Sequence, residues 1–146
     1  MATQAKAHAT GPGVLKFGTD ETENDFSCQV SNVKITPDFD ADDSIPVLCG
    51  GEVPGEVAYS AELEAEFLQD FDADGCLAWS WANAGKQVAF EFIPSLAHAA
   101  KFTGTVTVHP MEVGGDVRKK NTSSVKWPTV GLPVADFSGT PADPIA

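Results

Sequence analysis

The chain is poor in the residues that most chemistry requires. Of its 146 residues, three are cysteine and three histidine. Cys28, Cys49 and Cys76 form no C-x-x-C pair and leave an odd one over. That favours three small, buried, apolar residues in a reducing compartment over a disulfide plus a free thiol. His8, His98 and His109 fall on a terminus, a turn and a strand end, with no metal-ligand spacing. There is no G-x-S-x-G, no P-loop and no G-x-G-x-x-G. Carboxylate pairs are abundant, but with 21 acids a glycosidase-like pair arises by chance. The expectation is a protein that is not an enzyme and uses no cofactor or metal. Long apolar runs are also missing. None approaches the ~20 residues that span a bilayer, so no membrane insertion is expected. The opening MATQAKAHATGPGV lacks the apolar core of a secretion signal, which points to folding in a cytoplasm.

Positive charge is scarce and unevenly placed. Nine bases face 21 acids, for a net charge of −12. The stretch Asp20 to Asp74 holds sixteen of the acids and a single base, Lys34. Four of the nine bases are Arg118, Lys119, Lys120 and Lys126. The molecule has an acidic body and a small basic loop, which serves either solubility or a meeting of opposite charges between copies. Tight nucleic-acid binding by one subunit is disfavoured, because phosphates need a broader basic face than this loop offers.

What is present is alternation. Tyr59, Ala61, Leu63, Ala65 and Phe67 point one way, and Ser60, Glu62, Glu64 and Glu66 the other. This predicts a strand with one buried and one wet face. The acidic turn DFDADG follows, and Cys76–Ala84 then changes to helical spacing, with Leu77, Trp81 and Ala84 on one side and Gly85 closing it. Asp70, Asp72, Asp74 and Gly75 match the start of an EF-hand loop, but its twelfth position falls on Trp81, where a bidentate Glu is required. Capping of the helix by Asp72 or Asp74 is the favoured reading. The Glu62, Glu64, Glu66 row makes no calcium site either. Alternate strand residues lie about 6.6–6.8 Å apart, and calcium needs oxygens within about 2.6 Å. Repulsion along the row is about 0.6 kcal/mol in bulk water, so the row must face water or a water-filled channel. Trp79, Trp81 and Trp127 could form a sugar platform; core packing suits Trp81 better.

Elsewhere Val14–Phe17 predicts a short strand, and GTDETEND an acidic turn. Phe26, Cys28 and Val30 alternate before the phase slips to Val33 and Ile35, which predicts a β-bulge near Asn32. Pro37 is expected to end that strand. Asp38 to Glu56 has little regular pattern and reads as an arm or extended hairpin ordered by a neighbouring subunit, or as a plain surface loop. Val88, Phe90 and Phe92, and then Phe102, Gly104, Val106 and Val108, predict two further strands. VKWPTVGLPV reads as a last strand at an edge or beside bulges. Six or seven strands, one helix and no βαβ alternation predict an all-β fold with one α-helix, an antiparallel sandwich or partly open barrel. A chain of this length can bury roughly 70% of its unfolded surface, enough for one core. The expected organisation is a flexible arm over 1–13, a sandwich over 14–136 with a long loop at 37–57, and a flexible tail over 137–146.

Leu68 to Pro94, with its acidic turn, short Trp-containing helix and NAGKQVAFEFIP, followed by KFTGTVTV, GGDV and the closing VKWPTVGLPV, resembles major tail proteins of long-tailed bacteriophages. The resemblance covers most of residues 14–136 and rests on pattern and order. It implies a virion structural protein whose hexameric rings stack into the tail tube, leaving a β-lined channel through which DNA passes into the host. The implied partners are further copies of the chain and other tail proteins such as the tape measure, tail tip and terminator, with DNA only as cargo. Glu62, Glu64 and Glu66 become candidates for the channel wall. Asp38, Asp40, Asp42 and Asp43, with Arg118, Lys119 and Lys120, become candidates for contact between subunits. The competing expectations are a sandwich-type binding module for carbohydrate or calcium, and a capsid decoration protein.

Overall fold

A computed structural model of the chain describes residues 7–18 and 24–138. Most of the acidic turn GTDETEND and of the expected tail lies outside them, as does the start of the N-terminal arm. In chain order the elements are β1 (Val14–Phe17), β2 (Asn24–Asp25), β3 (Val30–Ala41), β4 (Ile45–Pro46), β5 (Glu52–Val53), β6 (Val57–Leu68), α1 (Cys76–Ala82), β7 (Gln87–Ile93), β8 (Lys101–Thr107), β9 (Thr122–Pro128) and β10 (Val134–Asp136). They build a five-stranded sheet in the order β10-β8-β7-β1-β2, a three-stranded sheet β3-β6-β9, and a small β4-β5 ribbon. Every pairing is antiparallel. The all-β class with one short helix is the one its alternating segments predict.

Alternation places the core between the sheets. Leu15, Phe17, Phe90, Phe92 and Val106 from the larger sheet meet Leu63, Ala65, Phe67, Val125 and Trp127 from the smaller. The centre is aromatic: Trp127 lies 5.7 Å from Phe17, 5.9 Å from Phe67 and 6.2 Å from Trp79, ring centre to ring centre. Such clusters combine large apolar burial with favourable ring geometry. The helix joins this core through Cys76, Leu77 and Trp79. Here the helical spacing misleads. Trp81 is 56% exposed, and only its Nε1 is anchored, donating to the Met111 carbonyl at 3.0 Å. A helix of two turns has one inward stripe, and Cys76, Leu77 and Ser80 take it.

The predicted bulge is present: the β3–β6 register shifts between Val30 and Asn32. Pro37 does not end the strand. β3 runs on to Ala41, with Pro37 opposite Ala61, and as the edge strand of its sheet it tolerates a residue without an N–H. The stretch expected to have little regular pattern is therefore paired in part, as an extended hairpin. Asp38–Ala41 lies in β3, and the β4-β5 ribbon is closed by a turn in which the Gly50 amide donates to the Val47 carbonyl. The Asp42 amide donates to Glu56, joining ribbon and ladder. A side chain at Gly55 would run into the Asp42 carbonyl, so that junction requires glycine. VKWPTVGLPV also divides. β9 ends at Pro128, and the chain crosses to the other sheet as β10. At the crossing the Thr129 amide donates to Ala61 and the Val130 amide to Thr105. Both strands are edges, as prolines demand. Of the cysteines only Cys76 is buried; Cys28 and Cys49 are exposed, against expectation. A cysteine at a turn has no opposing layer to bury it.

Candidate assembly surfaces

The glutamate row occupies the outward face of β6, the central strand of its sheet. Glu66 lies between Asn32 and Ser124, Glu64 between Lys34 and Lys126, and Glu62 between Thr36 and Pro128. Glu64 is consequently not a bare charge. Lys34 Nζ lies 3.4 Å and Lys126 Nζ 3.3 Å from its carboxylate, and the Thr36 hydroxyl donates to it at 2.6 Å. That hydroxyl bond, with the two lysines, holds the Glu64 carboxyl below its ordinary value against the opposing effect of partial desolvation. Glu66 accepts a 2.6 Å bond from the Thr122 hydroxyl. The face is wet, as predicted, but neutralised at its middle. The lysines were not legible as partners because only the register brings residues 34, 64 and 126 into one row.

Asp72 and Asp74 do not cap the helix. Its N-cap is Gly75, with no side-chain cap bond. The first helical amide, that of Cys76, donates to Gln29 Oε1 at 2.9 Å, and Gln29 Nε2 donates to Asp70 Oδ2 at 3.1 Å. Asp70 Oδ1 in turn accepts the Asp72 amide at 3.0 Å. The turn folds on its first aspartate, and the cap arrives from a residue distant in sequence, so no local motif announces it. Among the described residues no group of three His, Cys, Asp or Glu side chains is placed to hold a metal ion. Nor do the tryptophans form a platform, since Trp79 and Trp127 pack inward. A cleft of about 340 Å³ between 10–15, Ser27, 30–33 and 92–94 has no titratable side chain in its lining among the described residues.

The distal half of the β3–β6 hairpin is two-faced. Asp38 and Asp40, opposite Ser60 and Ala58, share the outward face with the glutamates, and Asp42 and Asp43 follow at the end of the ladder. On the other face Phe39 stands opposite Tyr59 and Ala41 opposite Val57, continuing the row that buries Leu63. There the opposing sheet has ended, and Phe39 is 67% and Tyr59 59% exposed. Arg118, Lys119 and Lys120 sit in the exposed loop before β9, with Arg118 in a left-handed conformation (φ 65°) and Lys119 3.8 Å from Asp116. Gln69 holds the loop, donating to the Gly114 carbonyl at 3.0 Å and accepting the Gly114 amide at 3.1 Å. This places the basic loop at the Leu68 end of β6 and the acidic hairpin at its Val57 end. The two sets of contact candidates are not brought together within one copy.

Neither a family model nor a curated protein matches the sequence. Solved structures match in fold. The chain is similar to one in the tail of an empty gene transfer agent particle, obtained by helical refinement with C6 symmetry, with a TM-score of 0.59 and 12% identity over 87% of this chain and 96% of that one. It is similar also to a chain in the virion of a native gene transfer agent particle, with a TM-score of 0.55 and 14% identity over 84% and 95%. At these identities the shared property is the fold.

Proposed function

We propose that the protein is a structural component of a virus-like particle, a subunit of the tail tube whose rings stack around a channel for DNA. The observation that carries this reading is the match in fold, along nearly the whole of both chains, to a chain of a tail with C6 symmetry. Two features of the molecule support it. The β3–β6 hairpin continues an apolar face beyond the body that would cover it, as expected of an element completed by a neighbour. The acidic Asp38–Asp43 segment and the basic Arg118–Lys120 triplet lie at opposite ends of β6, so a contact between them needs two copies.

In this reading the outward face of β3-β6-β9 lines the channel. Glu62 and Glu66, with Asp38 and Asp40, supply the negative field that keeps phosphates off the wall, and Glu64 contributes less because two lysines hold it. The remaining contacts are with other tail proteins, among them a tape measure, tail tip and terminator, and assembly takes place in the host cytoplasm. Negative-stain imaging of the concentrated protein, alone and with a tail-tip nucleus, tests the proposal. Rings or stacked tubes are expected. A compact monomer under every condition contradicts it.

A further inference from the structure

His8 and His98 are far apart in the sequence and touch in the fold. Their ring centres lie 3.9 Å apart, with the planes tilted by 44°. Both residues are exposed, so protons from solvent reach them. The ring contact stands beside a small backbone clasp. The Gly11 amide donates to the Pro94 carbonyl at 2.7 Å, and the Leu96 amide donates to the Pro12 carbonyl at 2.9 Å. The His98 amide turns back to the Ser95 carbonyl at 3.1 Å, which closes the turn that carries its ring. A Cβ at Gly13 would run into the Ile93 carbonyl, so the arm lies directly on the backbone of β7. Residues 10–13 thereby form part of the lining of the 340 Å³ cleft, together with Leu15, Val30, Val33 and Phe92.

We infer that this ring contact is a proton-operated latch, which holds the arm segment 7–13 on the β7–β8 turn while one imidazole is neutral and releases it when both are charged. Imidazole is the side chain that changes charge between about pH 5 and 8. One proton sets a cation beside a neutral ring, with no repulsion of like charges. A second sets two unit charges about 4 Å apart, which even in water weakens the contact by about fivefold. Nothing on the two touching segments offsets that charge, since neither 7–13 nor 94–100 contains an acid or a further base. The strands that enter and leave the turn carry Glu91 and Lys101, which pair with each other at 2.7 Å. Lys16 stands opposite Glu91, and Asp136 opposite Lys101. The closed form thus takes up fewer protons than the open one. It is favoured at high pH and lost as pH falls through the imidazole range. Release takes part of the lining from the cleft, beside Leu15 and Phe92, which are buried in the closed form. The latch belongs to the single subunit and does not depend on the tail-tube reading.

Exchange protection of the Gly11 and Leu96 amides tests the latch, measured by NMR in dilute full-length protein at about pH 7.5 and about pH 5. Protection factors cancel the intrinsic pH dependence of exchange. Both are expected to fall at least about fivefold at the lower pH, while the amides of Leu63–Phe67 stay protected. His8→Phe with His98→Phe keeps two rings in contact without a site for a proton, and equal protection at both pH values is expected. His98→Ala removes the contact, and low protection at both is expected. Wild-type protection that does not change with pH overturns the inference. An equal fall in the His8→Phe/His98→Phe variant overturns it as well, since the response would then belong to Glu91 or Asp136. Undiminished protection in His98→Ala would show that the rings hold nothing. A fall that extends to Leu63–Phe67 would assign the effect of acid to the whole fold and contradict the latch.

Discussion

β6 is one strand with two fates. Its C-terminal half, Leu63, Ala65 and Phe67, faces the larger sheet and is buried; its N-terminal half, Val57 and Tyr59, has the same alternation and is exposed. The partner strand behaves alike, with Val33 and Ile35 packed against the core and Phe39 bare. The difference is not in the strands but in what lies opposite, because the five-stranded sheet covers only part of the hairpin's length. Alternation reports that a face is to be buried. It does not report by which molecule.

That contrast can be broken from the body side first. Trp127→Ala removes a side chain with 1% exposure at the centre of the aromatic cluster and is expected to cost about 3–5 kcal/mol in denaturant unfolding. A smaller value would mean that the layers are not held there. Gln29→Ala removes the bond to the first helical amide and the bond to Asp70, and a loss of about 1–2 kcal/mol in the same measurement is expected. Phe39→Ser combined with Tyr59→Ser should change subunit stability by no more than about 0.5 kcal/mol while abolishing tubes in negative stain. A large loss of subunit stability would show that the hairpin is completed within its own chain.

The smallest effect concerns Glu64. Its folded-state value lies below the ordinary one, so its contribution to stability is present above the unfolded value and is lost as pH falls through the folded one. Thr36→Val deletes the largest cause of the depression. The Glu64 side-chain midpoint followed by NMR should rise, and the acid-induced loss should begin at higher pH. An unmoved midpoint would assign the shift to Lys34 and Lys126 instead.

Much of the fold was legible. The faces of Leu63–Phe67, Phe90–Phe92 and Val106–Val108, the bulge near Asn32 and the edge position of the proline-bearing strands follow from local rules of spacing and backbone donors. What failed depended on register or on remote partners. Pro37 breaks a central strand but not an edge, and the edge is set by a pairing with residues far along the chain. Trp79, not Trp81, enters the core because the helix's rotation is fixed by Gln29 and Met111. The acidic row was visible, but its neutralisation by Lys34 and Lys126 was not. For the assembly surfaces the charges were legible and their separation was not, since only the β6 ladder shows that the acidic and basic segments lie at opposite ends.

Backbone hydrogen exchange, followed in dilute and in assembled protein, tests the central claim most directly: that the hairpin's bare face is covered by another copy. The account predicts that amides of 38–59 slow on assembly, while those of Leu63–Phe67, already protected in the free subunit, stay as they are. Tubes in which 38–59 exchange as fast as in the free subunit would contradict it.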